Sequence, residues 1–139
     1  MKLIMQFLLV AIALLFVNLI FAQTPRCSRE QAMQADSEAS TLSDWDAIKR
    51  SFIKFRNCDD GGISEGYSES VSRLLAEHWK NTVKLIALTK NDAAFEAFVI
   101  KHIDETVPSE RLKQIIINAR EHCPDGGTRL CLKLENAAK

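Results

Sequence analysis

Apolar side chains recur at helical spacing along most of the chain. Trp45, Ile48, Phe52 and Phe55 follow one another in steps of three, four and three residues, which places them on one face of an α-helix. Comparable faces are formed by Ala32, Ala35, Ala39 and Leu42; by Tyr67, Val71, Leu74, Leu75, Trp79, Val83 and Ile86; by Phe95, Phe98, Val99 and Ile103; by Leu112, Ile115, Ile116 and Ala119; and by Leu130, Cys131 and Leu134. No stretch keeps up the strict alternation of a half-buried strand. The pattern therefore predicts an all-α protein.

Polar and glycine-containing segments separate these faces and predict where the helices begin and end. Ser28 with Gln31 fits a capping box at the start of the first helix. Further helix starts are predicted at Ser43, at Asn91-Asp92, at Thr106-Val107-Pro108 and at Thr128. The long face over residues 67–86 fits either one helix of about 25 residues or two halves that meet near Asn81. We expect a single compact bundle of five or six helices with two disulfides.

The N-terminal segment differs from the rest of the chain. Lys2 supplies a positive start, residues 3–21 are almost entirely apolar, and Ala22 offers a small residue for cleavage. This pattern predicts a secretory signal peptide over residues 1–22, followed by a single helical domain over residues 23–139. An uncleaved anchor helix is the alternative, because the apolar stretch is nearly long enough to span a bilayer. We expect a periplasmic or secreted protein with no stable membrane insertion after cleavage.

Composition and charge narrow the classes of partner. The apolar fraction of 47% is raised by the N-terminal segment, and the formal charge is zero, with 18 Lys and Arg against 18 Asp and Glu. A neutral chain has no net field to hold nucleic acid or an anionic membrane surface. We therefore expect no nucleic-acid partner, and the expected partner is another exported or periplasmic protein.

Four cysteines lie in the predicted domain, and an even number in an exported chain of this size indicates two disulfides. Cys27 precedes the first predicted helix and Cys58 follows the second, so an antiparallel pair of helices brings them to one end. Cys123 and Cys131 flank a short turn. Topology therefore favours the pairs Cys27–Cys58 and Cys123–Cys131, with Cys58–Cys123 as the main alternative. No Cys-x-x-Cys pair of the kind that binds zinc is present, and the sequence indicates no metal or other cofactor.

The most distinctive segment is the acidic turn, defined as residues 59–66. Asp59, Asp60 and Glu65 place three carboxylates beside glycines at the start of a predicted helix, at a spacing that does not fit an EF-hand calcium loop. Three interpretations stay open: carboxylates that stabilise a helix N-terminus, an acid–base pair of Asp60 and Glu65 in a glycosidase-like site, and a recognition surface for a basic partner. Gly66 disfavours a helix by about 1 kcal/mol relative to Ala, which a close approach of a backbone or a ligand would explain.

The three histidines, His78, His102 and His122, show no catalytic spacing. His102 lies two residues before Asp104, and residues so spaced do not face each other on a helix. The residues Gly62-Ile63-Ser64-Glu65-Gly66 match the letters Gly-x-Ser-x-Gly, but no strand is predicted before them, so they do not form the strand–turn–helix elbow of a catalytic serine. No His-Glu-x-x-His motif is present. We expect exposed or half-buried histidines, and we expect the serines at positions 64, 68, 70 and 72 to form the solvated face of their helix. The sequence indicates no catalytic residue and favours a protein without enzymatic activity.

The segment Cys58-Asp59-Asp60-Gly61-Gly62-Ile63-Ser64-Glu65-Gly66-Tyr67-Ser68 resembles a signature of small exported bacterial helical proteins, a functionally uncharacterised family. Later pieces that fit the same family are Phe98-Val99, His102-Ile103-Asp104, Asn118-Ala119, Cys123-Pro124 and Leu130-Cys131. The resemblance implies a helical, exported protein in which the acidic turn and the cysteines belong to a shared framework, and it supplies no catalytic residue. A looser architectural similarity to periplasmic immunity proteins rests on no motif.

These observations favour a non-enzymatic protein-binding module, of an inhibitor or immunity type, whose contact surface is the acidic turn. The first alternative is a carrier that encloses a small apolar ligand in the core of the bundle. The second alternative is a cell-wall or glycan hydrolase that uses Asp60 and Glu65.

Overall fold

The structure is a computed structural model that describes residues 26–139. This part of the chain contains seven α-helices and no β-strand, which confirms the predicted fold class. The helices are α1 (Arg29–Ala39), α2 (Trp45–Phe55), α3 (Gly61–Glu77), α4 (Thr82–Thr89), α5 (Ala93–Lys101), α6 (Ser109–Glu121) and α7 (Thr128–Ala137). None of them combines the length and the hydropathy that a membrane crossing requires. The predicted signal peptide over residues 1–22 lies outside the described residues.

Side chains at the N-termini fix where several helices begin. Ser28 and Gln31 form the predicted capping box at the start of α1. The second helix begins one residue later than predicted, because Asp44 rather than Ser43 accepts the hydrogen bond from the backbone amide three residues on. Asp92 caps α5 in the same way, as predicted. Local polar chemistry thus sets these helix starts.

The long apolar face over residues 67–86 is divided between α3 and α4 near Asn81, as in the second of the two predicted alternatives. The described residues therefore hold seven helices rather than the expected five or six. His78, with a φ of −123° and a ψ of 38°, leaves the helical conformation, and a 3-10 turn over Trp79–Asn81 leads into α4. The break places the indole N–H of Trp79 where it donates to the backbone carbonyl of His122 at 2.7 Å. This tertiary contact outweighs the local preference for a continuous helix.

The third helix lies at the centre of the bundle, where α3 packs against α1 and α6, and α6 packs in turn against α7. The rings of Phe52, Tyr67, Phe95 and Phe98 lie 4.9–6.1 Å apart between centroids and fill the middle of the core. The largest fully buried side chains around them include Trp45, Ile48, Leu74, Leu75, Leu85, Ile115 and Leu134. A smaller cluster at one end consists of Ala35, Phe55 and Cys58.

Two disulfides join the pairs that topology favoured, Cys27 with Cys58 and Cys123 with Cys131. Their Cα atoms lie 4.9 Å and 6.1 Å apart, which is ordinary for a disulfide. The first bridge ties the segment before α1 to the end of the 3-10 turn Arg56–Cys58, and the second ties the segment after α6 to α7. Such bridges are typical of proteins in oxidising compartments.

Candidate functional site

The acidic turn begins where the first disulfide ends. The 3-10 turn Arg56–Cys58 leads directly to Asp59, and the next residue, Asp60, caps α3 by accepting a hydrogen bond from the amide of Gly61 at 2.8 Å. Gly61 has a φ of +51°, a left-handed conformation that glycine adopts without a steric penalty. The direction of the chain into α3 therefore depends on glycine at this position.

Asp59 points into the protein rather than into solvent, with 9% of its side chain exposed. Its Oδ2 atom lies 3.2 Å from Nε2 of His102 and 2.8 Å from Nζ of Lys101, two consecutive residues at the C-terminal end of α5. The other carboxylate oxygen, Oδ1, is buried and finds no hydrogen-bond partner among the described residues. Asp59 thus fastens the acidic turn to α5.

His102 continues this contact toward α3. Its imidazole is fully buried, and its Nδ1 atom lies 3.1 Å from Oγ of Ser68. The hydroxyl of Ser68 lies in turn 2.9 Å from Oδ2 of Asp104. Asp59, His102, Ser68 and Asp104 therefore form one continuous hydrogen-bonded series, called the buried polar chain below. It joins the acidic turn, α3 and the segment that follows α5.

Burial and hydrogen bonding shift the pKa values of the two carboxyl groups of the buried polar chain in opposite directions. Burial raises the pKa of Asp59, but the hydrogen bonds from His102 and Lys101 outweigh it and bring this pKa to about 2. Burial likewise raises the pKa of Asp104, while hydrogen bonds from Thr106 and Ser68 lower it, and the net pKa lies below its ordinary value. Both groups are carboxylates at neutral pH, so both act only as hydrogen-bond acceptors.

Ser68, His102 and Asp59 follow one another in the order of a Ser–His–Asp triad, but their burial does not suit catalysis. A nucleophile has to be within reach of the substrate, and its hydroxyl proton has to pass to the base. Ser68 is 1% exposed and His102 is 0% exposed. The hydroxyl of Ser68 also faces the carboxylate of Asp104. In this conformation the buried polar chain holds parts of the fold together and offers no accessible nucleophile.

The other predicted recognition residues lie outside the buried polar chain. Asp60 and Glu65 are exposed. Gly66 packs against α1, where a β-carbon added to it would lie 2.9 Å from Cβ of Ala39. The structure thus separates the four predicted residues into two exposed acids, one inward-facing acid at Asp59 and one glycine in a helix contact.

Sequence reasoning missed Ser68 and His102. It predicted exposed or half-buried histidines and solvated serines, whereas His102, Ser68, Ser70 and Ser72 are all buried. The prediction was wrong for these four residues, while His78 and His122 are exposed as predicted. The serine hydroxyls find partners inside the fold; for example, Ser70 donates to a backbone carbonyl of α1 at 2.6 Å. A signal was present in the sequence, since Ser68, Ser72 and Leu75 follow one another in steps of four and three residues and continue an apolar stripe.

A second surface feature lies beside the C-terminal disulfide. An open cleft is lined there by Trp79, Lys80, Val83, Asn118, His122 and Pro124. Trp79 is held in place by the hydrogen bond from its indole N–H to the backbone carbonyl of His122. The side chain of Val83 is 61% exposed in the cleft. The cleft is thus a partly apolar depression in the surface.

No family model, curated protein or solved structure matches this chain, so its function is inferred from the geometry of its own residues.

Proposed function

We propose that this chain is a non-enzymatic protein-binding module and that the acidic turn is its contact surface. The observation that carries the proposal is the contrast between a fixed backbone and exposed side chains within one short segment. The backbone is held by three contacts, namely the first disulfide, the buried polar chain and the packing of Gly66 against α1. The side chains of Asp60 and Glu65 remain exposed on this fixed support.

Rigidity and charge together define the kind of partner that suits the acidic turn. A contact surface that is already ordered loses little conformational entropy when it binds, so more of the interaction energy appears as affinity. Neither Asp60 nor Glu65 forms an ion pair within the described part of the chain. Both carboxylates are therefore available to basic side chains, and complementary charge favours specificity and fast association.

The two alternative functions find less support in the structure. The middle of the bundle is filled by the rings of Phe52, Phe95 and Phe98, and the clefts found among the described residues are open depressions at the surface. A carrier needs a concave site that encloses most of its ligand. A hydrolase needs a concave site beside its acid pair, and neither Asp60 nor Glu65 lines any of these clefts. Neither alternative has an observation in its favour.

The proposal is tested by capture from a periplasmic extract of the native host. The test variant is Asp60→Ala/Glu65→Ala; Asp59 is left unchanged, because its replacement would disturb the fold. The matched control is Glu121→Ala/Asp125→Ala, which removes two exposed acids elsewhere in the chain. We expect the wild type and the control to capture the same basic protein and the test variant to lose it. Identical capture by all three proteins would contradict the proposal.

The cleft at Trp79 is the competing contact surface, and one further variant tests it. Val83→Asp places a charge on the exposed apolar side chain that lines this cleft. We expect capture to survive this substitution. Loss of capture in Val83→Asp, together with normal capture by Asp60→Ala/Glu65→Ala, would move the contact surface from the acidic turn to the cleft.

A further inference from the structure

We propose that the exposed face of α2 is a contact surface for the anionic headgroups of a phospholipid bilayer. This surface, called the basic face below, consists of Arg50, Ile53 and Lys54 on α2 and of Arg56 in the turn that follows it. Its residues are different from those of the acidic turn, so the proposal does not depend on what the acidic turn binds.

Helical spacing brings the residues of the basic face together. Arg50, Ile53 and Lys54 are three and four residues apart, so they lie on one side of α2, opposite the apolar stripe that the helix buries. The side chain of Ile53 is 62% exposed, and Arg50, Lys54 and Arg56 are exposed as well. The basic face thus presents an apolar side chain to solvent among cations.

The cations of the basic face are not neutralised by the rest of the domain. Arg50, Lys54 and Arg56 form no ion pair within the described residues, whereas most other Lys and Arg side chains there do. Asp46 lies four residues before Arg50, but its carboxylate pairs with Lys84 instead. These cations therefore remain available to anions outside the domain.

Such a surface is unfavourable for an isolated helix. Arg50 and Lys54 are four residues apart, and like charges at this spacing on a helix repel each other. The negative end of the helix dipole stabilises Lys54 and Arg56 at the C-terminus of α2, but it gives no reason for an exposed isoleucine at their side. External anions remove the repulsion, and an apolar layer behind them accommodates Ile53.

A bilayer has both of these properties. A helix face that combines cations with an apolar side chain lies at the boundary between lipid headgroups and acyl chains. The fully buried centre of a specific protein interface, in contrast, is depleted of charged residues, and its anchor residues fill pockets. No residue of the basic face lines one of the surface clefts found among the described residues. The basic face therefore suits mobile lipid headgroups better than an acidic protein.

The N-terminal segment brings this end of the domain close to a bilayer. The predicted signal peptide ends at Ala22, five residues before Cys27. Five extended residues span at most about 18 Å, so Cys27 stays within that distance of a bilayer that holds the apolar segment. Cys27 is bonded to Cys58, which lies two residues after Arg56. Residues 1–25 also contain no Asp or Glu that could neutralise the basic face.

The zero net charge of the chain does not oppose this contact. At physiological ionic strength the field of a charged surface decays over about 8 Å, which is less than the thickness of a domain. The charges that face the bilayer therefore determine the attraction, and charges on the far side of the domain contribute little.

Co-sedimentation with vesicles tests the proposal. The exported protein, as isolated from its host, is mixed with vesicles of phosphatidylcholine alone or with vesicles that contain about 30% phosphatidylglycerol. Each basic residue near an anionic surface changes partitioning about fivefold. We expect Arg50→Gln/Lys54→Gln to reduce partitioning into the anionic vesicles about 20-fold and to leave partitioning into the neutral vesicles unchanged. Equal partitioning of the wild type into both kinds of vesicle would overturn the proposal.

The matched control is Lys80→Gln/Lys90→Gln. It makes the same change in net charge at two exposed lysines outside the basic face, which also form no ion pair within the described residues. We expect this control to stay within about twofold of the wild type. Equal losses in the two double variants would show that net charge, and not the basic face, causes the binding.

A second matched pair tests the apolar part of the contact. Ile53 and Val83 are 62% and 61% exposed, but only Ile53 belongs to the basic face. We expect Ile53→Ser to weaken partitioning into anionic vesicles about threefold, because part of the side chain leaves water, and Val83→Ser to leave it unchanged. Equal effects of the two substitutions would contradict a contact through α2.

Two further measurements keep this proposal separate from the function of the acidic turn. Asp60→Ala/Glu65→Ala should bind anionic vesicles at least as well as the wild type, since it removes only negative charge, and weaker binding would contradict a contact through cations. Arg50→Gln/Lys54→Gln is also examined by capture from the extract. Loss of a captured acidic protein in this variant, with no preference of the wild type for anionic vesicles, would overturn the proposal and assign the basic face to a protein partner.

Discussion

Gly66 of α3 approaches Ala39 of α1 so closely that a β-carbon added to Gly66 would lie 2.9 Å from that of Ala39. The same atom would lie 3.2 Å from the backbone nitrogen of Ser40, so the backbone of α1 would also have to move. We expect Gly66→Ala to lower the free energy of unfolding by about 1–3 kcal/mol, in spite of the higher helix propensity of alanine, because it overpacks this contact. Urea denaturation at neutral pH measures the change.

The same helix offers a control. A β-carbon added to Gly62 would meet no atom within 4 Å, and Gly62 has no left-handed φ. We expect Gly62→Ala to leave the free energy of unfolding unchanged or to raise it by up to about 1 kcal/mol. Equal losses of stability in the two variants would show that the contact with α1 is not the cause.

Asp59 should make the free energy of unfolding fall as the pH is lowered into the acid range. Its pKa is about 2 in the folded protein against an ordinary value of 3.8, so the folded state binds this proton more weakly than the unfolded state. A carboxyl group with a lowered folded pKa contributes stability that is complete above the unfolded value and is lost as the pH falls through the folded value. We expect a loss of about 2 kcal/mol through this group between about pH 5 and about pH 2.

Urea denaturation of the wild type and of Asp59→Asn over this pH range tests the assignment. The variant should be less stable than the wild type at neutral pH and should lose less stability in acid, because its amide does not titrate. Asp125→Asn, at an exposed position, is the control and should keep the dependence of the wild type. The same acid dependence in Asp59→Asn and the wild type would count against Asp59 as its source.

Glu96 connects α5 to α7 through a carboxylate that is 5% exposed. It accepts two hydrogen bonds from Arg129, at 2.8 Å and 2.5 Å, and one from Lys133 at 2.6 Å, and the bonds from Arg129 are the main cause of its lowered pKa. We expect Glu96→Gln to reduce the free energy of unfolding by about 1–2 kcal/mol, since both cations keep access to water. Thermal and urea unfolding measure the loss.

A surface ion pair is the matched control for Glu96. Glu110 is 81% exposed and pairs with Lys113, which is 66% exposed. Exposed pairs contribute little, so Glu110→Gln should change the free energy of unfolding by no more than about 0.5 kcal/mol. If Glu96→Gln and Glu110→Gln lower the free energy of unfolding by similar amounts, the buried position of Glu96 between two helices does not add to stability.

The two disulfides should contribute unequally to stability. The cysteines of the Cys27–Cys58 pair are 31 residues apart in the sequence and those of the Cys123–Cys131 pair are 8 apart. The entropy of loop closure in the unfolded chain then corresponds to about 3.7 and about 2.6 kcal/mol. We expect replacement of the first pair by alanine to lower the free energy of unfolding more than replacement of the second. The reverse order, measured by urea denaturation of the two double variants, would contradict this account.

The helices could be predicted from the sequence because the information for each one is local. The apolar stripe from Trp45 to Phe55 and the capping pair Ser28 and Gln31 lie within one element, and the structure contains both. The pairing of the cysteines also followed from the order of the helices. For the face over residues 67–86 the sequence left one helix and two halves meeting near Asn81 both open. Local pattern could not decide between them, because the break accompanies a hydrogen bond from Trp79 to a carbonyl 43 residues away.

The buried polar chain shows where sequence patterns stop being informative. Ser68 and His102 are 34 residues apart, and Asp59 and His102 are 43 residues apart. The three side chains meet only because α3 and α5 pack at a particular register, which periodicity does not determine. The acidic turn was recognised from its composition, but the inward direction of Asp59 depends on the backbone after Cys58 and on a partner far along the chain.

Each disulfide joins a cysteine to the next cysteine along the chain. If the chain crosses a membrane N-terminus first, Cys27 and Cys58 reach the oxidant before Cys123 does. Thiols joined in their order of emergence therefore form the native pairs directly, and no exchange between wrong pairs is needed. A chain whose thiols are joined in this order reaches its native pairing without help from a disulfide isomerase.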